Sequence, residues 1–359
     1  MNVSRASHLL RAQLQAAAVL GTTLDLPGTT TIARISRTLR PDEAALGGVV
    51  TTIVRPTSKP PWPALVFANG ATPDGRAHPI VLRLALALAR SGYLVFVPDL
   101  PGVANGELSP ATLAASTVFT QAAADAAESA HGRVALAGVS VGGSLALLTA
   151  ADSRLAERVS VVACVAPYSD LAKVALLATT GVYRSGGRLD RYPTPASLWL
   201  GLARSLAALL PPGAETDALC RELRAFDAGA ADELSAFRHR SFAAYGGQAA
   251  RVLALLTNDE PARFDDLYAA LPAEVRAAID GLSPLRAAHR LRARVEIATA
   301  PRDKYFPIAE SQALERASPQ VRLTVTSLLA HATPRLDTRH LGELSRLNGF
   351  FVRALAAAR

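Results

Sequence analysis

The residues of this chain best placed to do chemistry surround Ser140. In Gly138-Val139-Ser140-Val141-Gly142-Gly143 the run 133–137 before the hexapeptide reads as a strand, and the run 144–148 after it reads as a helix. A sharp strand-to-helix turn strains its central residue and lifts the hydroxyl clear of the backbone. Neighbouring glycines let strand and helix approach closely enough to make that turn. A serine hydroxyl is a poor nucleophile at neutral pH, so it needs a histidine to take its proton and a carboxylate to orient the histidine. The oxyanion formed when such a serine attacks a carbonyl needs N–H donors held in advance. Val141, next after the serine, supplies one. The loop 67–75, with Asn69-Gly70-Ala71-Thr72-Pro73, offers the second, with Ala71 preferred and Gly70 and Thr72 beside it.

Such a turn has to stand on a sheet. From Ala64 onward, short apolar runs at 64–68, 93–97, 133–139, 160–165, 295–298 and 321–327 alternate with helical stretches such as 78–90 and 141–151, the pattern of a mostly parallel sheet. Gly92 is placed to stop the helix 78–90. Ahead of this, β-branched runs at 31–37 and 48–55 predict two antiparallel strands separated by a Pro41-Asp42 turn. From about 171 to 282 no strand of the parallel kind is visible, while 197–202 and 206–210 are apolar and helix-like. A bare loop of that length is improbable, so the interval reads as a folded helical cap. The expected organisation is a helical extension over 1–30, a core over 31–170 and 283–359, and a cap over 171–282.

The elbow around Ser140, the stretch Ser91-Gly92-Tyr93-Leu94-Val95-Phe96-Val97-Pro98-Asp99-Leu100-Pro101-Gly102, and Ser283-Pro284 together resemble the α/β-hydrolase superfamily. Within it the chain is similar to dienelactone-hydrolase-like bacterial serine hydrolases, over a region running from about Pro63 to the C-terminus. The resemblance implies an α/β fold and hydrolysis of a carboxylic ester through an acyl-enzyme. In that arrangement the acid follows a late strand and the histidine follows the last one. Those places are taken by Asp303, in Pro301-Arg302-Asp303-Lys304, and by His331. Asp170, after the strand through Val165, is the alternative acid, and His340 the alternative base. His8, His78, His131, His239 and His289 read as surface residues. The chain departs from dienelactone hydrolases proper in having Ser140 where they use cysteine, and its N-terminal stretch and helical insertion exceed the compact family pattern, so no dienelactone substrate is carried over; in the oxyanion loop, Asn69-Gly70 stands where a His-Gly pair is usual.

The remaining composition constrains partners. Half of the residues are apolar and 19% charged, with 24 Gly and 23 Pro, which excludes a disordered or collagen-like chain. Cys164 and Cys220 stand too far apart for a disulfide framework or a four-ligand zinc site, and no cofactor or metal is expected. The net charge of +8 comes almost wholly from arginine, since Lys59, Lys173 and Lys304 are the only lysines. Its densest stretch, Arg286, Arg290, Arg292 and Arg294, alternates with apolar residues and reads as a solvated face, so nucleic acid is not an expected partner. The segment 1–20 reads as an amphipathic helix that packs on the domain or lies on a membrane surface. No run reaches the roughly 18 apolar residues of a membrane-spanning helix. A cytoplasmic chain is expected, with export or peripheral membrane association as the alternative. The expected ligand is a small acyl ester with a medium-sized apolar acyl group. Trp199 and Leu202, on an apolar stripe of the cap with Leu198 and Leu206, are expected to bind it.

Overall fold

The computed structural model describes residues 3–23, 39–226, 231–240, 242, 245–330, 333–334 and 341–359. Its elements, in chain order, begin with α1 (Val3–Thr23), β1 (Asp42–Leu46), β2 (Val49–Val54), β3 (Trp62–Ala68), α2 (Pro79–Arg90) and β4 (Leu94–Pro98). They continue with α3 (Pro110–Asp125), β5 (Ser129–Val139), α4 (Val141–Ala150) and β6 (Val159–Val165). An insertion follows, made of α5 (Leu171–Thr180), the hairpin β7 (Val182–Ser185) and β8 (Arg188–Arg191), α6 (Ala196–Ala208), α7 (Ala214–Ala225), α8 (Ala231–His239), α9 (Gly247–Leu256), α10 (Phe264–Ala269), α11 (Ala273–Gly281) and α12 (Pro284–Ala287). The chain then returns to the sheet through β9 (Arg294–Thr299), α13 (Ile308–Ala317), β10 (Val321–Val325), β11 (Leu329–Ala330), β12 (Thr333–Pro334) and α14 (Leu341–Ala357).

Eight strands form one sheet in the order β1-β2-β4-β3-β5-β6-β9-β10. The pairings from β4 to β10 are all parallel, while β1 and β2 join antiparallel at one edge. The central strands are short and β-branched because both sheet faces are covered: all five residues of β4 are buried. On one face lie α3 and α4, and on the other α1, α2 and α14. Helix α4 is apolar all round, and its residues from Gly142 to Ala150 are all buried, as a helix wedged between sheet and neighbours must be. Helix α2 starts at Pro79 with His78 as its cap and stops before Gly92, which has φ 91°, as its residue pattern predicts.

Two expectations are corrected. The antiparallel pair at the sheet edge turns at Gly47-Gly48 and not at Pro41-Asp42; Asp42 opens β1. Gly47 and Gly48 have φ 56° and 78°, the consecutive left-handed conformations that a two-residue hairpin needs and that glycine adopts at least cost. The strand expected at 31–37 lies outside the described residues. The insertion is also not purely helical, since the β7–β8 hairpin reverses at Gly186-Gly187.

Buried side chains of the insertion, including Leu198, Leu206, Leu219, Val252 and Ile279, belong to the same apolar cluster as those of α3, α4 and the adjoining sheet face. Helix α1 packs on α14 and α2, burying Ala12, Ala16 and Val19 while Leu10 and Leu14 stay exposed. Among the described residues no helix is long and apolar enough to cross a membrane.

Candidate active site

Ser140 sits between β5 and α4 with φ 55° and ψ −128°, a conformation that costs a non-glycine residue energy and persists only where its surroundings impose it. Those surroundings are three backbones pressed together. A Cβ on Gly138 would lie 2.4 Å from the Gly142 carbonyl oxygen, and one on Gly142 would lie 2.3 Å from the carbonyl oxygens of both Ala68 and Asn69. Neither position can carry a side chain without moving the chain. The Ser140 N–H donates to the Val165 carbonyl (2.8 Å), and the Gly143 and Ser144 amides donate to the Ser140 carbonyl. The serine is thus fastened to the ends of β5 and β6. Val141 opens α4, and an amide in a first helical turn has no intrahelical acceptor, so it is available to an oxyanion.

The second oxyanion donor was expected from the loop after β3. That loop lies against Ser140: a Cβ on Gly70 would stand 3.2 Å from the Val139 carbonyl oxygen and 3.4 Å from Ser140 Cβ. Buried Asn69 donates from Nδ2 to the Gly70 carbonyl (2.9 Å), holding the loop's first turn. Gly70, Ala71 and Thr72 all line the cavity that contains Ser140. Gly106 packs against both Ala71 and Gly201 of α6, since a Cβ on it would lie 3.3 Å from Ala71 Cβ and 3.5 Å from Gly201 Cα. Helix α6 is tied down there by Ser205, whose Oγ accepts from the Leu108 amide (2.9 Å), and by Arg204, which donates to the carbonyls of Asn105, Leu223 and Phe226. The insertion therefore roofs the loop beside the serine.

Asp303 follows β9 and is buried. Its Oδ1 accepts from the amides of Tyr305 (2.8 Å) and Phe306 (3.0 Å), which fixes the direction of the carboxylate. The Tyr192 hydroxyl, just after β8, donates to the Asp303 carbonyl. Burial, and next the nearby Asp303 charge, push the Tyr192 phenol up to about 12, so it stays a donor at neutral pH. Asp170 caps α5, its Oδ1 accepting from the amides of Ala172 (3.1 Å) and Lys173 (3.4 Å). His331 and His340 lie outside the described residues.

Two other expectations meet the structure differently. Leu202 lines the cavity above Ser140, but Trp199 does not. Its indole donates to the Leu256 carbonyl (2.8 Å) and its ring meets Phe237 edge-on, so it packs the interior of the insertion. A ring with a polar N–H is buried where that N–H finds an acceptor, and Leu256 provides one. His78, read as a surface residue, contributes to the cavity wall.

A second buried carboxylate, which no sequence motif marks, braces the segment that carries Asp303. Glu310, on α13, is fully buried and accepts through Oε2 from the Ser169 amide (2.5 Å), the Ser169 hydroxyl (2.6 Å) and the Asp170 amide (2.9 Å). Its Oε1 accepts from the Tyr183 hydroxyl (2.5 Å) of the hairpin. Burial first, then the Glu310 charge, push the Tyr183 phenol upward. Glu310 thus joins α13, seven residues after Asp303, to the turn after β6 and to β7. Glu310→Ala is expected to cost roughly 3 kcal/mol by leaving these donors buried and unmatched. Urea unfolding would show this as a lower midpoint at an unchanged slope, and Glu310→Gln should recover part of the loss.

The cavity has a volume of about 640 Å³, within the range of small-molecule sites. Among the described residues no cluster of three His, Cys, Asp or Glu side chains could hold a metal ion. Cys164, buried in β6, donates weakly to the Gly143 carbonyl, and burial raises its thiol pKa.

Residues 48–208 match the model of a peptidase family described as X-Pro dipeptidyl-peptidase (S15 family), a match covering less than half of the chain. No curated protein matches the chain by sequence. In structure it is similar to an acylaminoacyl peptidase solved with Z-Gly-Gly-Phe-chloromethyl ketone (TM-score 0.51, 12% identity, 91% of this chain and 42% of that one). It is also similar to the uncomplexed acylaminoacyl peptidase of Pyrococcus horikoshii (TM-score 0.50, 13% identity, 90% of this chain and 41% of that one). The chain spans about two fifths of the length of these proteins. Sheet order, the strained serine between β5 and α4 and these likenesses agree, and the chain has the α/β-hydrolase fold.

Proposed function

We propose that the protein is a serine hydrolase that opens a carboxylic ester through an acyl-enzyme. The observation that carries this reading is the conformation of Ser140, held strained at the wall of a largely apolar cavity with the Val141 amide and the Gly70–Thr72 loop beside it. In the proposed reaction His331 takes the Ser140 proton as Oγ attacks the acyl carbon, and Asp303 orients the imidazole. The Val141 and Ala71 amides hold the oxyanion. The leaving alcohol departs with the proton from His331, and water, deprotonated by the same histidine, releases the acid and restores Ser140. Residues 171–282 act as the cap over this site. The ligand is a small acyl compound, and no nucleic acid takes part.

The same groups would cleave a peptide bond, and the S15 match over residues 48–208 favours that second reading. Comparing kcat/KM for p-nitrophenyl esters with that for aminoacyl p-nitroanilides decides between them. A p-nitrophenyl ester is activated enough for a peptidase to cleave it too, so the anilide decides: the ester reading expects ester turnover with anilide rates no higher than those of Ser140→Ala, and anilide turnover that is lost in Ser140→Ala would establish a peptidase. Transfer of the acyl group to an added alcohol in place of water would show as ester product in the same assays.

A further inference from the structure

The cavity at Ser140 has a neighbour. A second cavity of about 80 Å³ lies between the sheet and helices α2 and α14. Phe67, Leu84, Val139, Val165 and Phe351 line both, so the two share a wall, and Val139 in that wall is the residue before Ser140. Every residue around the smaller cavity is apolar, and Leu88, Ala354, Leu355 and Ala358 line it without lining the larger one. A space without polar partners does not hold ordered water, and its lining forgoes packing contacts on one side. The larger cavity differs: Asn105, Ser197, Ser205 and Arg224 bring polar groups to its wall, with Arg224 3.4 Å from Glu107.

We infer that the smaller cavity is an acyl-chain annex, which receives the end of an unbranched aliphatic acyl group whose carbonyl lies at Ser140. The chain passes Val139 and Phe351 into the space between α2 and α14, and the leaving group lies toward the polar wall near Arg224. This rests on the serine-hydrolase reading above and replaces Trp199 as the expected acyl contact. At about 30 Å³ for a group of water or methylene size, the annex adds room for two or three methylene groups. Each buried methylene is worth about fourfold in kcat/KM.

The test is a p-nitrophenyl ester series from acetyl to dodecanoyl, run on the wild type and on Ala354→Leu, with melting temperatures recorded for both. Ala354 lines the annex and not the larger cavity. The expected wild-type profile rises to a medium chain length and then falls. In Ala354→Leu the ratio of the best medium-chain rate to the acetyl rate should fall about tenfold or more. Should Ala354→Leu not fold, Ala358→Leu takes its place. An unchanged chain-length profile in a folded variant overturns the annex. Failure of the hydrolase reading looks different, namely no reaction of Ser140 with a short-chain fluorophosphonate. Calorimetry with octanoate against acetate then decides the annex alone: tighter octanoate binding that is lost in Ala354→Leu supports it, and equal binding of the two overturns it.

Discussion

Replacing Ser140 by alanine is expected to lower kcat/KM by roughly 10⁴- to 10⁶-fold and to leave the melting temperature within a few degrees of the parent. The size of the rate loss follows from removing the nucleophile of a group of residues that works as a unit. The small effect on stability follows from the local structure. Although Ser140 precedes α4, its side chain makes no capping hydrogen bond, and its backbone is fastened through its own N–H to Val165 and through its carbonyl to the amides of Gly143 and Ser144. Alanine keeps those bonds and meets the positive φ with the same Cβ. Initial rates on the best ester and a thermal melt check both parts. A variant that keeps more than about a hundredth of the activity places the nucleophile elsewhere.

Asp303→Asn carries the second-largest expected effect, a loss of about 10³- to 10⁴-fold in kcat with the fold retained. The asparagine carbonyl oxygen can still accept from the Tyr305 and Phe306 amides, so the loop after β9 keeps its shape. The lost capacity is that of a carboxylate to accept from a histidine N–H and to stabilise the imidazolium formed during proton transfer. Asp170→Ala is the matched control. It removes the two bonds to Ala172 and Lys173 that cap α5, worth about 1 kcal/mol, and should change the rate by less than about threefold. If Asp170→Ala abolished turnover while Asp303→Asn did not, the acid would lie at the end of β6 and not after β9.

What the sequence discloses about this molecule depends on how local the cause is. The elbow is legible because the need for glycine at 138 and 142 arises within a few residues of Ser140, and the parallel strands are legible because both covered faces demand unbroken apolar runs. Helix α2 shows its C-terminal end through Gly92. The sheet-edge hairpin is misplaced because Pro41-Asp42 is a turn signal in isolation, whereas the strand register is set by two residues in left-handed conformation at Gly47-Gly48. Trp199 illustrates a different limit. Helix α6 is buried on two sides, against the cavity at Leu198 and Leu202 and against Phe237 and Leu256 at Trp199, and an apolar stripe does not say which side faces a ligand. Glu310 leaves no local trace, because the four donors that satisfy it come from residues more than 120 positions away. The hairpin that supplies Tyr183 and Tyr192 is likewise hidden inside an interval whose composition is helical.

In the proposed function everything turns on Ser140 being an activated nucleophile. Treating the folded chain with a fluorophosphonate and locating the adduct by peptide mass spectrometry tests it most directly. A single phosphonyl group on Ser140, formed within minutes and absent from Ser140→Ala, is the expected result. No adduct on the well-folded wild type, or an adduct on another serine that persists in Ser140→Ala, would contradict it.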